Sequence, residues 1–186
     1  MEYFLTTARL GFRHWREDDL PLALSLWRDE TVAAMSGGPF TDEQIAARLK
    51  REMAMLRDQG IQYWPVFLLE TGEFAGCAGL RPMELMADHP FLVERAGIAG
   101  AARVFELGYH LCPQMRGRGL ATEAVLAVIE RGFGVHGADA LFAGHHPAND
   151  ASRRVLLKVG FEYVRDEVYP PTGWVEPTYL MRRGGR

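Results

Sequence analysis

Residues 114 to 125 read Gln-Met-Arg-Gly-Arg-Gly-Leu-Ala-Thr-Glu-Ala-Val, and these residue types could hold an anion. An apolar run (104 to 111) precedes them, and a helix-like run (120 to 133) begins within them. The first N–H groups of a helix have no intrahelical partner, and together with the helix dipole they form a ready anion site. Gly117 and Gly119 lack the Cβ atoms that would obstruct a phosphate, and they permit unusual backbone angles. Arg116 and Arg118 add positive charge and forked donors suited to phosphate oxygens. The chemistry on offer is a phosphate cradle, for a pyrophosphate. The same residues would also make a plain glycine-rich turn with two solvated arginines, and composition alone leaves both readings open. Two familiar cradles are excluded. No Gly-Lys-Ser/Thr closes the run as in a P-loop, and Thr122 stands where a dinucleotide fingerprint needs its third glycine.

The elements that must position this junction follow from periodicity. Alternation over residues 9 to 15 predicts a strand, with Leu10, Phe12 and His14 on one face. Residues 16 to 30 predict a helix capped by Asp18 or Asp19. A second helix starts at Thr41 or Asp42, carries Ile45, Leu49, Met53 and Leu56 on one stripe, and ends at Gly60. Strands at 63 to 70 and 74 to 80 flank a short turn, and residues 81 to 100 lack a steady period and read as a long loop. The strand at 104 to 111 leads into the junction and its helix. A strand at 140 to 146, a helix at 152 to 159 stopped by Gly160, and strands at 162 to 169 and 175 to 181 complete the chain. This order predicts an α+β fold: a mostly antiparallel mixed sheet of about seven strands with four helices and one strand-helix-strand crossover.

The 186 residues fit a single domain spanning 1 to 186. A net charge of −3 argues against nucleic acid as a partner, because a phosphate-tracking surface shows as a basic excess. Cys77 and Cys112 are the only cysteines, and with no signal-like N-terminus they read as reduced thiols of a cytoplasmic protein. No segment approaches the roughly 20 apolar residues of a membrane span. His136, His145, His146 and Cys112 match no zinc spacing, so no metal is expected.

Gln114-x-x-Gly117-x-Gly119 resembles the acetyl-CoA signature of the GCN5-related N-acetyltransferases, the GNAT superfamily. The longer run from Pro113 to Glu123 resembles the branch containing the ribosomal-protein N-terminal acetyltransferases, RimJ and RimL. So do Arg9-Leu10-x-Phe12-Arg13-x-Trp15 with Asp19-Leu20, Glu106-Leu107-Gly108-Tyr109, and Asn149-x-x-Ser152-x-x-Val155-Leu156-x-Lys158-x-Gly160-Phe161. The resemblance implies a sheet splayed between the fourth and fifth strands. There Leu111 and Cys112 would pair with the pantetheine arm like an added strand. Backbone N–H groups of Arg116, Gly117, Arg118, Gly119, Leu120 and Ala121 would hold the pyrophosphate. Asn149 would bond the pantetheine, and Ser152 and Arg154 would lie along the cofactor. The partners implied are acetyl-CoA and an amine acceptor, and the family allows a homodimer.

Acetyl transfer needs a neutral amine, a donor to the developing oxyanion and a proton for the leaving thiolate. Glu106 is the candidate base, directly or through water, and alternatively a surface or arginine-paired carboxylate. Ser152 is the candidate acid, and alternatively the cap of the last helix. The wider superfamily often places a tyrosine acid in that helix; Leu156 stands at that position. Either His145 or His146 could contact the acceptor. Cys112 lacks a paired base and reads as a buried thiol rather than a nucleophile. The expected activity is acetyl transfer from acetyl-CoA to a primary amine, of a protein N-terminus or a small molecule. The alternatives are a non-catalytic acyl-CoA sensor and an acyltransferase using a longer acyl chain.

Overall fold

A computed structural model describes residues 2 to 82, 103 to 169 and 172 to 184. Most of the expected 81 to 100 loop lies outside the described residues. The elements are β1 (Leu5–Thr6), β2 (Leu10–Phe12), α1 (Leu20–Trp27), α2 (Glu30–Ala33), α3 (Asp42–Gln59), β3 (Tyr63–Leu68) and β4 (Phe74–Pro82). They continue with β5 (Val104–Leu111), α4 (Leu120–Gly134), β6 (Ala140–Gly144), α5 (Asp150–Val159), β7 (Glu162–Tyr169) and β8 (Trp174–Arg182). The fold is α+β, with an eight-stranded sheet in the order β1-β2-β3-β4-β5-β6-β8-β7. The pairs β1–β2, β2–β3, β3–β4, β6–β8 and β7–β8 are antiparallel, and β5–β6 is parallel. The strand beyond the expected seven is β1, whose two residues pair with Gly11 and Phe12.

The chain gathers into two compact units, Met1–Gly79 with Tyr109–Val125, and Leu80–Gly108 with Leu126–Arg186. In the first, Leu10 and Phe12 of β2 pair with Leu68 and Val66 of β3, and all four are buried. The helices α1 and α3 pack together and bring Leu26, Trp27, Ile45 and Leu49 into the core. Each such side chain contributes about 1.5–3 kcal/mol on burial. The start of α3 follows from its sequence: Thr41 and Gln44 exchange side-chain to backbone hydrogen bonds as a capping box. Its end follows too, because Gly60 takes a left-handed φ of 73° and returns its N–H to the Leu56 carbonyl.

The expected helix over 16 to 30 is broken, for local electrostatic reasons. The Asp19 carboxylate accepts both Arg13 guanidinium arms, at 2.6 and 2.7 Å, and the Arg16 N–H at 2.8 Å. It therefore holds a 3-10 turn at Glu17–Asp19 instead of capping α1 through its side chain. Asp29 then caps a separate short helix by accepting the Thr31 and Val32 N–H groups.

In the second unit, β6 lies between β5 and β8, and β8 pairs with β7. Leu141 of β6 is buried and faces α4; a Cβ on Gly132 would stand 3.2 Å from it. A bulge between Tyr163 and Arg165 shifts the β7–β8 register, so that Glu167 lies opposite Glu176.

Candidate active site

In the first unit the junction motif forms a short, continuous loop. Pro113–Met115 is a 3-10 turn, and Met115 and Leu120 are buried anchors on either side of the exposed residues Arg116 to Gly119. Gly117 and Gly119 take φ of 72° and 75°, the left-handed region that favours glycine. A Cβ on Gly117 would meet nothing within 4 Å, so this glycine is required by conformation and the space beside it is open. Among the described residues, the N–H groups of Gly117 to Thr122 meet no acceptor, and helical bonding begins with the Glu123 N–H to the Gly119 carbonyl at 3.2 Å. The Arg116 N–H, expected to belong to this set, is spent on the Pro113 carbonyl at 3.2 Å, which closes the 3-10 turn. The six successive donors that follow it at the helix head suit a diphosphate.

Leu111 and Cys112 sit just before this loop. Cys112 donates its N–H to the Ala75 carbonyl at 3.0 Å, and Gly76 allows the close approach, because a Cβ there would stand 2.1 Å from the His110 carbonyl. The Cys112 thiol is buried, which pushes its pKa up to about 11. A thiol in that state supplies almost no thiolate at neutral pH.

In the second unit, β5 and β6 are in register for three pairs only, from Val104 opposite Ala140 to Glu106 opposite Phe142. β5 itself runs on to Leu111. Leu107 is buried, and Glu106 takes the other face, with Phe142. Strand register extends that face: Phe142 lies opposite Leu180, and Gly144 opposite Thr178. Glu176, two residues from Thr178, turns onto the same face, with its Oε2 3.3 Å from where a Gly144 Cβ would be. Burial first, and the Glu106 charge second, push the Glu176 carboxyl up to about 7. Glu167, opposite Glu176 on this face, is bonded by the Arg165 Nε at 3.1 Å. His146 packs edge-on against Trp174 with centroids 4.5 Å apart. Sequence reasoning did not single out Glu176, because the pairing that brings it near Glu106 joins residues 70 positions apart.

The opposite face carries structural groups. His145 stacks on Tyr179, has its Nε2 3.2 Å from that hydroxyl and its Nδ1 2.8 Å from the His146 carbonyl, and is held below the usual histidine range by burial. The cap of α5 is Asn149, whose Oδ1 accepts the Ser152 N–H at 3.0 Å. Ser152 is thus a buried first-turn residue rather than the cap, and Arg154 is exposed on the same helix. Leu156 is buried. The site residues expected from sequence therefore fall into three groups: Leu111 to Ala121 in one continuous segment; Asn149 and Ser152, joined by a hydrogen bond, with Arg154 on the same helix; and Glu106, to whose face the structure adds Glu176.

A model of the acetyltransferase (GNAT) domain matches residues 9–162. The chain belongs to the GNAT family, and it is an acetyl-CoA-dependent N-acetyltransferase. It is 24% identical over 160 residues to the uncharacterised N-acetyltransferase YoaA of Bacillus subtilis, covering 85% of this chain and 82% of that protein. Among solved structures, an acetyltransferase from Agrobacterium tumefaciens superposes with a TM-score of 0.76 at 21% identity, over 98% of both chains. The RimL ribosomal L7/L12 alpha-N-protein acetyltransferase, in complex with coenzyme A, gives 0.76 at 14% identity over 100% of both chains. No helix among the described residues is long and apolar enough to cross a membrane.

Proposed function

We propose that this protein transfers the acetyl group of acetyl-CoA directly to a primary amine, of a protein N-terminus or a small molecule. The observation that carries the proposal is the run of unsatisfied N–H groups from Gly117 to Thr122, behind two left-handed glycines at the head of α4. Those amides would take the diphosphate. Arg116 and Arg118 would add charge, and the Leu111 backbone would pair with the pantetheine arm; Cys112, expected to share that role, gives its N–H to the Ala75 carbonyl and takes the Met115 N–H at its own carbonyl. The Asn149 Oδ1 is spent on its cap, so its amide NH₂ is the group left to donate to a pantetheine carbonyl. Arg154 would lie along the cofactor.

In the reaction the amine nitrogen attacks the thioester carbonyl carbon. A C–N bond forms, the C–S bond breaks, and the amine gives up one proton. Glu106 would take that proton, with Glu176 beside it. Glu176, its carboxyl raised to about 7, would receive the proton from Glu106 in turn, close to the value of about 8 of a free α-amine. Ser152 would relay a proton to the leaving thiolate, its hydroxyl taking a replacement proton from solvent in the same step so that no alkoxide is left. Cys77 and Cys112 are buried and form no disulfide, which accords with a reducing cytoplasm.

Release of free CoA thiol from acetyl-CoA, measured against peptides of varied N-terminal residue and a panel of polyamines and aminoglycosides, tests the proposal. Turnover with one acceptor class is expected. Tight CoA binding with no thiol release against any amine would replace it with a non-catalytic acyl-CoA sensor.

A further inference from the structure

The turn between β1 and β2 is tied to the head of α4 by residues far apart in sequence. The Thr7 hydroxyl accepts the Leu10 N–H at 3.0 Å and donates its own proton to Glu123 Oε1. Arg9 donates its backbone N–H to the same oxygen at 2.8 Å and its Nε to Glu123 Oε2 at 2.6 Å. The remaining arm of the guanidinium, Nη1, donates to the Arg118 carbonyl at 2.9 Å. One arginine thus holds a side chain in the first turn of α4 and a peptide group between the two glycines.

The second contact has a geometric consequence. In a trans peptide the carbonyl and the following N–H point in opposite directions. A carbonyl of Arg118 turned toward Arg9 therefore aims the Gly119 N–H away from Arg9, on the side where no protein acceptor meets it. The first contact has an electrostatic consequence. Glu123 lies one turn into the helix whose head would receive an anion, and an uncompensated carboxylate there would repel a diphosphate. The Arg9 guanidinium, within 2.6 Å, cancels that charge. Burial alone would raise the Glu123 carboxyl, but the Thr7 and Arg9 hydrogen bonds outweigh it and hold the group below the usual glutamate range.

We infer that Arg9 is a positioning residue for the diphosphate cradle, presetting the Gly119 amide through the Arg118 carbonyl and neutralising Glu123. The inference rests on the reading of residues 117 to 122 as that cradle. Arg9 itself is half exposed and contributes little to the core, so its replacement leaves folding largely intact.

Calorimetric titration with CoA, with acetyl-CoA kinetics alongside, tests it in wild type, Arg9→Ala, Arg9→Lys and the double variant Arg9→Ala/Glu123→Gln. Arg9→Ala is expected to weaken CoA about tenfold and to raise the acetyl-CoA KM by a like factor, with kcat within about twofold. Arg9→Lys, a point charge that cannot bridge both partners, is expected to fall between wild type and Arg9→Ala. The double variant is expected to bind CoA more tightly than Arg9→Ala, because the stranded carboxylate is gone. A purely structural clamp would instead make it weaker still. CoA affinity in Arg9→Ala within twofold of wild type, or a double variant weaker than Arg9→Ala, would overturn the role of Arg9 and leave the cradle standing. Should Arg9→Ala not fold, wild-type affinity in Arg9→Lys would overturn that role equally. No heat from wild type with CoA would remove the cradle itself.

Discussion

Replacing Glu106 with glutamine is expected to lower kcat by about 10²–10⁴, the range contributed by a positioned general base. The substitution keeps the shape of the side chain and removes its charge and basicity. It should leave the affinity for CoA unchanged, because nothing places Glu106 against the diphosphate amides. A second signature separates proton transfer from disturbed packing. Glu176 is raised to about 7 by burial and by the Glu106 charge, so losing that charge should lower it. If the amine proton passes from Glu106 to Glu176, Glu176 must be deprotonated to receive it, so wild-type kcat/KM should rise with pH through about 7. In Glu106→Gln the residual activity should rise at lower pH. The acceptor amine titrates identically in both enzymes and cannot produce the difference. A kcat within threefold of wild type at pH 8, or an unmoved pH limb, would exclude the role.

The largest expected effect on stability comes from Asp19→Ala. Arg13 and Asp19 are each only 7% exposed at the side chain and form a two-pronged pair. Removing one partner strands a buried guanidinium, at a cost of about 3–5 kcal/mol. In a chain of this length that is a fall in Tm on the order of 10 °C. Replacing both residues with apolar side chains of similar volume should cost much less, because the stranded charge disappears with its partner. Urea denaturation of the three proteins measures this. A loss under 1 kcal/mol in Asp19→Ala would mean that solvent reaches the pair.

Much of this arrangement was legible in the sequence because its signals are local. Thr41 and Gln44 lie three residues apart and build their capping box without reference to the rest of the chain. Gly60 and Gly160 stop their helices through their own φ, and the strands at 104 to 111 and 162 to 169 begin and end where the apolar run and the flanking turn residues put them. The junction at Gly117 and Gly119 was legible for the same reason. What escaped depends on contacts that sequence order hides. Residues 16 to 30 look continuously helical until Arg13 draws the Asp19 carboxylate away from its capping role. Nothing near Arg9 announces Glu123, which is 114 positions distant, and a strand of two residues such as β1 has no period to read. Alternation along β8 assigns Glu176 a face, but only the register with β6 brings that face beside Glu106.

The most direct test of the diphosphate cradle is the movement of backbone amide resonances when CoA is added to the isotope-labelled protein, with pantetheine as the comparison. Amides from Gly117 to Ala121 should shift with CoA and remain in place with pantetheine, which lacks the diphosphate. Stationary resonances in that segment while CoA binds, or the same shifts from pantetheine, would contradict the cradle.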